Sequence, residues 1–143
     1  MTLGLEAVAK TEPDVAFIHN YPGTVETGLW RGTDGPPGGL ANATNRVPID
    51  ECGERQLYLA TSARFPALKD TSKAVQLGDG VEVALGTNGK AGSGVYSVKW
   101  DCESASSEVH KLLAGLREQG MVKKVGEHTE SEFQRILASE EVN

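Results

Sequence analysis

The strongest constraint on how this chain can fold is a short uncharged run, Val15-Ala16-Phe17-Ile18-His19, closed by Tyr21-Pro22-Gly23. A continuous apolar run bounded by turn residues fits a β-strand covered on both faces. Glu12-Pro13 precedes it, and the residue before a proline avoids the αR region. A helix over residues 1–11 therefore ends there. Leu5, Val8 and Ala9 share one face of that helix, with Met1 one turn earlier. No capping residue stands ahead of it, so it reads as a helix entered part-way along. A helix, a tight turn at Pro13-Asp14 and a buried strand make an α/β crossover unit, whose strand pairs with parallel neighbours.

The rest of the chain supplies the other layers. Residues 24–48 are rich in Gly, Pro, Asn and Thr, with Gly35-Pro36-Pro37-Gly38-Gly39 at the centre. They read as one long, lid-like loop. Asp50 is placed to cap a helix through about Phe65, with Glu51 and Glu54 favoring its positive end. Cys52, Leu59, Ala60 and Ala63 share its apolar face, and Pro66 stops it. Val81–Leu85 reads as a short strand before an Asn88-Gly89 turn, and Gly94–Trp100 alternates as a second strand. The second strand should lie beside Val15–His19 and parallel to it, with Val15–His19 the more buried. Ser104 or Ser106 opens a helix whose Val109, Leu112, Leu113 and Leu116 form an amphipathic stripe. Gly120 stops it. Thr129 and Glu132 read as a capping box for a last helix with Phe133, Ile136 and Leu137 on its apolar face.

Composition excludes several function classes. The 143 residues suffice for one domain at most. Twenty acidic and 14 basic residues give a net charge of −6, so no basic footprint for nucleic acid is present. The same charge disfavors anionic membrane surfaces. Two cysteines, Cys52 and Cys102, without any C-x-x-C, make neither a disulfide framework nor a zinc site of familiar spacing. The first residues lack the basic and apolar regions of a signal peptide, and no stretch has the apolar length of a membrane span. The expected location is cytoplasmic, which leaves the Asn42-Ala43-Thr44 sequon unused.

The stretch from Val15 to Leu29, V-A-F-I-H-N-Y-P-G-T-V-E-T-G-L, resembles the sixth-strand motif of short-chain dehydrogenases/reductases, which are NAD(P)-dependent Rossmann-fold oxidoreductases. The segments Glu51–Arg55, Thr61–Pro66, Gly94–Ser97 and Glu127–Phe133 extend the resemblance to a fungal branch of that family. The resemblance implies an α/β fold holding the last parallel strands and flanking helices of a three-layer Rossmann-like domain. It also implies that Pro22 and Gly23 let the backbone approach the nicotinamide end of the cofactor. Thr27 would hydrogen-bond the carboxamide, with Val25 between. Elementary chemistry agrees: proline fixes φ, glycine removes a side chain, and a hydroxyl both donates and accepts.

The pattern departs from the family in two places. No G-x-G-x-x-G follows a strand, and Gly92-Ser93-Gly94 precedes one, the wrong order for a phosphate turn. None of Tyr21, Tyr58 and Tyr96 has a lysine four residues later, so the family's catalytic Tyr-x-x-x-Lys is absent. The resemblance thus implies the C-terminal half of a longer reductase, with residues 1–11 downstream of the missing lysine. The whole would transfer hydride between NAD(P) and a ketone or alcohol, whereas this chain alone would lack turnover. The alternative is a non-catalytic truncated product, an incomplete gene model or a small interaction module. Each candidate also has a bland counterpart. Pro22, Gly23 and Thr27 could make an ordinary turn. His19 reads as a packed histidine. Tyr21 reads equally as pocket-lining or packed, and Trp30-Arg31 as lid or plain loop. Cys52 reads as small apolar packing, and His110 and His128 as solvated. Loss of a neighboring strand leaves the edge of Val15–His19 open, which favors self-association.

Overall fold

The computed structural model describes residues 1–32, 46–69 and 76–140. The center of the expected lid-like loop, Gly35–Gly39, and the Asn42 sequon lie outside these residues, as does the side chain of Trp30.

The chain is α/β. Helix α1 (Thr2–Val8) leads through the Pro13 turn into strand β1 (Phe17–Asn20). Strand β4 (Val95–Val98) lies beside β1 and parallel to it, with Phe17 opposite Val95 and Asn20 opposite Val98. Between them come the two-residue strands β2 (Thr24–Val25) and β3 (Arg46–Val47), then helix α2 (Ile49–Thr61). Helices α3 (Ser107–Glu118) and α4 (Met121–Glu140) complete the order. Helices packed on a parallel pair joined by a helical crossover make this a partial Rossmann-like arrangement.

Alternation along the strands divides the layers. Ile18, Tyr96 and Val98 face α2 and the segment after it, forming the core with Leu59, Phe65, Ala84 and Cys102. Tyr96 is fully buried, and its hydroxyl donates to the Pro66 carbonyl at 2.6 Å. Phe65 meets the Tyr96 and Tyr58 rings edge-on, the arrangement that aromatic quadrupoles favor. His19 faces the other layer, where its Nδ1 lies 2.7 Å from the Thr2 hydroxyl of α1. Helix α1 packs in turn on α4, where a Cβ at Gly126 would stand 2.9 Å from that of Ala7. Arg117 of α3 clamps α1 by donating from Nε and Nη2 to the two Glu6 carboxylate oxygens, at 2.8 and 2.6 Å.

Several expectations are corrected. The most buried strand is β4, whereas β1 is half-buried throughout. The reason is the far edge of β4, which is sealed by N–H groups of Thr87 and Ala105 donating to Val95 and Ser97. Val81–Leu85 is not a strand. Ala84 N–H bonds to Arg64 and Gly86 N–H to Lys90, leaving only a bridge between Leu85 and Ala91. The Asn88-Gly89 turn is present, with Asn88 Oδ1 accepting from Lys90 N–H at 2.9 Å. Asp50 lies inside the first turn of α2, and Pro48 takes the capping position without a side-chain bond. Helix α4 runs unbroken through Thr129, so no capping box operates there. Only Leu113 of the α3 stripe is fully buried, while Leu112 is 63% exposed.

Candidate functional site

The site develops from the end of β1. Tyr21 N–H donates to Val98 at 3.0 Å, the last bond of the parallel pair. The chain must then leave the sheet. Pro22 fixes its own φ, and Gly23 turns with φ +83°, in the left-handed region that a side chain disfavors. The turn delivers Thr24 and Val25 into β2, in register with Arg46 and Val47 of β3. The ends of the expected loop are therefore paired strands. Val47 is almost fully buried and anchors them. Glu26 N–H extends the pairing to Val47 at 3.0 Å, and Arg46 donates to the Glu26 carboxylate at 2.9 Å.

Thr27 comes next. Its N–H donates to Val25 at 2.8 Å, which folds the backbone tightly at Glu26. Its hydroxyl accepts from Leu29 N–H at 3.3 Å and caps the short 3-10 turn Gly28–Trp30. A hydroxyl that accepts one bond still has its own proton to donate, and Thr27 is exposed. Gly23 and Val25 are half-buried beside it, and Pro22 is exposed. The four candidates Pro22, Gly23, Val25 and Thr27 thus lie on one continuous path from the C-terminal end of β1. Open α/β sheets bind ligands at that end of their strands. Arg31 folds back on this path, donating from Nε to the Gly28 carbonyl at 3.3 Å.

The end of β4 forms the neighboring wall, which the sequence alone did not reveal. Asn20 donates to the Lys99 carbonyl at 3.2 Å and accepts from Gln56 at 2.9 Å. Arg55 lies over the Trp100 ring, 4.9 Å from its centroid, and donates to the Trp100 carbonyl at 2.7 Å. Arg64 forms a bidentate pair with Glu103. The hydrogen bonds from Arg64 hold the Glu103 carboxyl below its usual range. Burial raises the Asp101 carboxyl, but bonds from Lys99 and from Glu103 N–H outweigh it and lower the group. Burial pushes the Cys102 thiol up, and Asp101 and Glu103 add to that rise, so the thiolate is disfavored there.

His19 is engaged with Thr2. His110 is not fully solvated as expected. Its Nε2 is buried and has no partner among the described residues. His128 is exposed, and Cys52 and Cys102 are both free thiols. A cleft of about 240 Å³ opens at the opposite, N-terminal end of β4, lined by Glu6, Lys10, Thr87, Asn88, Ser93 and Arg117 among others. It is remote in the fold from the Pro22–Thr27 path. Among the described residues no helix is long and apolar enough to cross a membrane.

Fold and site together define an α/β arrangement with a left-handed glycine turn and an exposed hydroxyl beyond the C-terminal end of a parallel strand. Comparison with known proteins gives that arrangement a class. Oxidoreductase AN1596 of Emericella nidulans is 37% identical over 141 residues, covering 91% of this chain and 41% of the relative. Oxidoreductase andH of Emericella variicolor is 29% identical, covering 98% of this chain and 43% of the relative. The NmrA-like family domain-containing oxidoreductase notO of an Aspergillus species is 33% identical, covering 92% and 36%. The chain is therefore similar to fungal oxidoreductases and spans about two fifths of their length. No family model matches it, and no solved structure does.

Proposed function

We propose that this chain supplies the nicotinamide-end wall of an NAD(P)-dependent oxidoreductase of the short-chain dehydrogenase/reductase type. The observation that carries the reading is the path Pro22-Gly23-Thr24-Val25-Glu26-Thr27. It leaves the C-terminal end of a parallel strand through a left-handed glycine and ends on an exposed hydroxyl. The named relatives support the oxidoreductase class, and the NmrA-like relative supports a nucleotide cofactor.

The residues present fit one end of that cofactor. Gly23 keeps a side chain out of the turn, Val25 offers an apolar flank, and the Thr27 proton is available to a carboxamide oxygen. The cofactor, when bound, supplies the hydride for reduction of a ketone or accepts one from an alcohol. The chain's own part is to orient the ring end and wall off water on that side. No Gly-rich phosphate turn follows any strand, and no Tyr-x-x-x-Lys is present. Binding of the pyrophosphate and proton transfer to the substrate oxygen therefore fall to polypeptide beyond these residues. General acid catalysis is worth roughly 10²–10⁴ in rate, so the 143-residue chain alone should not turn over.

The test is a chimera in which this chain replaces the matching part of oxidoreductase AN1596. The chimera should bind reduced nicotinamide cofactor, and Gly23→Val should weaken that binding while the fold persists by circular dichroism. A Gly23→Val chimera that binds the cofactor as tightly as its parent would overturn the proposal.

A further inference from the structure

We infer that the cleft at the N-terminal end of β4 is a second binding site, for a small carboxylate with an apolar body. Its walls come from the end of α1, Leu68 beyond α2, the loop from Thr87 to Ser93, Val95 of β4 and Arg117 of α3. The volume of about 240 Å³ lies below the ~300–1,000 Å³ of sites for drug-sized molecules, so the ligand is small. Ala9, Leu68 and Val95 supply apolar surface, against which a hydrocarbon body is shielded from water. The loop is fixed in place, because Thr87 is buried and its N–H donates to Val95 at 2.8 Å.

The polar groups set the charge of the ligand. Glu6 accepts from Nε and Nη2 of Arg117, which holds the guanidinium by one edge. The Nη1 nitrogen and the second N–H of Nη2 remain for another acceptor. A planar fork of N–H groups matches the geometry of a carboxylate. Lys10 stands exposed at the rim, and among the described residues it has no ion-pair partner. Two cations and one carboxylate thus make the cleft net positive, on a chain of net charge −6. That local reversal of sign draws anions in preference to cations.

Neutral donors complete the set. Asn88 Oδ1 is occupied by Lys90 N–H at 2.9 Å, which leaves the Asn88 amide N–H groups to a ligand. The Ser93 hydroxyl makes no hydrogen bond among the described residues. The cleft therefore offers spare donors, whereas its one carboxylate, Glu6, is already engaged. A cationic ligand would have to compete with Arg117 for Glu6, and a carboxylate would not. This inference does not rest on the proposed cofactor role, because the cleft and the Pro22–Thr27 path lie at opposite ends of the parallel pair.

Titration of benzoate into the purified chain, followed by the amide resonances of Asn88 and Ser93, tests the inference. Benzamide serves as the neutral counterpart, and the AN1596 chimera repeats the titration with the rest of an enzyme present. Benzoate should shift both resonances saturably in chain and chimera. Benzamide should bind about tenfold more weakly, because charge-assisted hydrogen bonds are roughly twice as strong as neutral ones. Lys10→Gln removes the rim charge and should raise the benzoate dissociation constant about threefold, the scale of an exposed ion pair. Leu68→Ala removes apolar surface and should raise it about threefold or more. Lys123→Gln, on an exposed face of α4, should bind as the parent does. The absence of a saturable shift at millimolar benzoate overturns the inference, as does benzamide binding as tightly as benzoate. Benzoate binding that ignores both Lys10→Gln and Leu68→Ala overturns it as well. So does binding to the chain that is lost in the chimera, since other polypeptide would then fill the cleft.

Discussion

Replacing Gly126 with alanine sets two opposing effects against each other. Gly126 lies inside α4, where alanine is favored over glycine by about 0.8–1 kcal/mol through backbone entropy and helix propensity. The added Cβ, however, would stand 2.9 Å from the Ala7 Cβ of α1, closer than such atoms approach. Relief requires α1 to move away from α4, and overpacking of this kind costs about 1–3 kcal/mol. The net expectation is a loss of up to about 2 kcal/mol. Gly115 in α3 and Gly53 in α2 provide the reference, because a Cβ at either meets nothing within 4 Å. Alanine there should stabilize by about 0.5–1 kcal/mol. Ala7→Gly in the Gly126→Ala background should restore part of the loss, since it removes the other half of the clash. Urea denaturation of the four variants, followed by circular dichroism, reads the differences. A Gly126→Ala chain as stable as Gly115→Ala would refute the close docking of α1 on α4.

Three further outcomes follow from the same coordinates. Tyr96→Phe removes the hydroxyl that bonds Pro66 in the core and should cost about 1–3 kcal/mol, read by the same denaturation. Glu6→Gln breaks the two-bond clamp on Arg117. The loss should be about 1.5–3 kcal/mol, as for hydrogen bonds to charged groups, with faster amide exchange in α1. The Glu103 carboxyl is lowered from its ordinary 4.5 by Arg64. Its contribution is present above 4.5 and is lost as pH falls through the folded value. Denaturation between pH 7 and pH 3 should therefore show a shallower acid loss in Glu103→Gln than in the parent.

The elements legible in the sequence are those whose signal is local. Val15–His19 reads as a strand because an apolar run ends at turn residues, Gly94–Trp100 because its residues alternate, and the crossover rule makes them parallel neighbors. Gly120, with φ +71°, separates α3 from α4 as expected. Burial rank was not legible, because it depends on which strand has both edges covered. Thr87 and Ala105 close β4 from distant positions, and no periodicity announces that. The capping pattern at Thr129 failed for a related reason. A Thr-x-x-Glu pattern occurs inside helices as well as at their starts, and α4 continues through it. The strands β2 and β3 were missed because two residues give no alternation to read.

The candidate site divides in the same way. The Pro22-Gly23 turn was legible from residue types with narrow conformational uses. The wall formed by Asn20, Arg55, Gln56 and Trp100 was not, because those residues meet only across the sheet end. The misreading of His110 has the same origin. Its place near a helix start suggested solvent, while the surrounding packing buries Nε2.

The most direct measurement on the central claim compares two ligands on the AN1596 chimera with and without Thr27→Val. NADH carries the nicotinamide, whereas ADP-ribose carries the remainder of the cofactor without it. A hydroxyl that serves the carboxamide contributes about 0.5–1.5 kcal/mol, equivalent to roughly 2–13-fold in affinity. Titration should show NADH binding weakened by that factor and ADP-ribose binding unchanged. Equal weakening of both ligands, or no change in either, would contradict the assignment of Thr27 to the nicotinamide end.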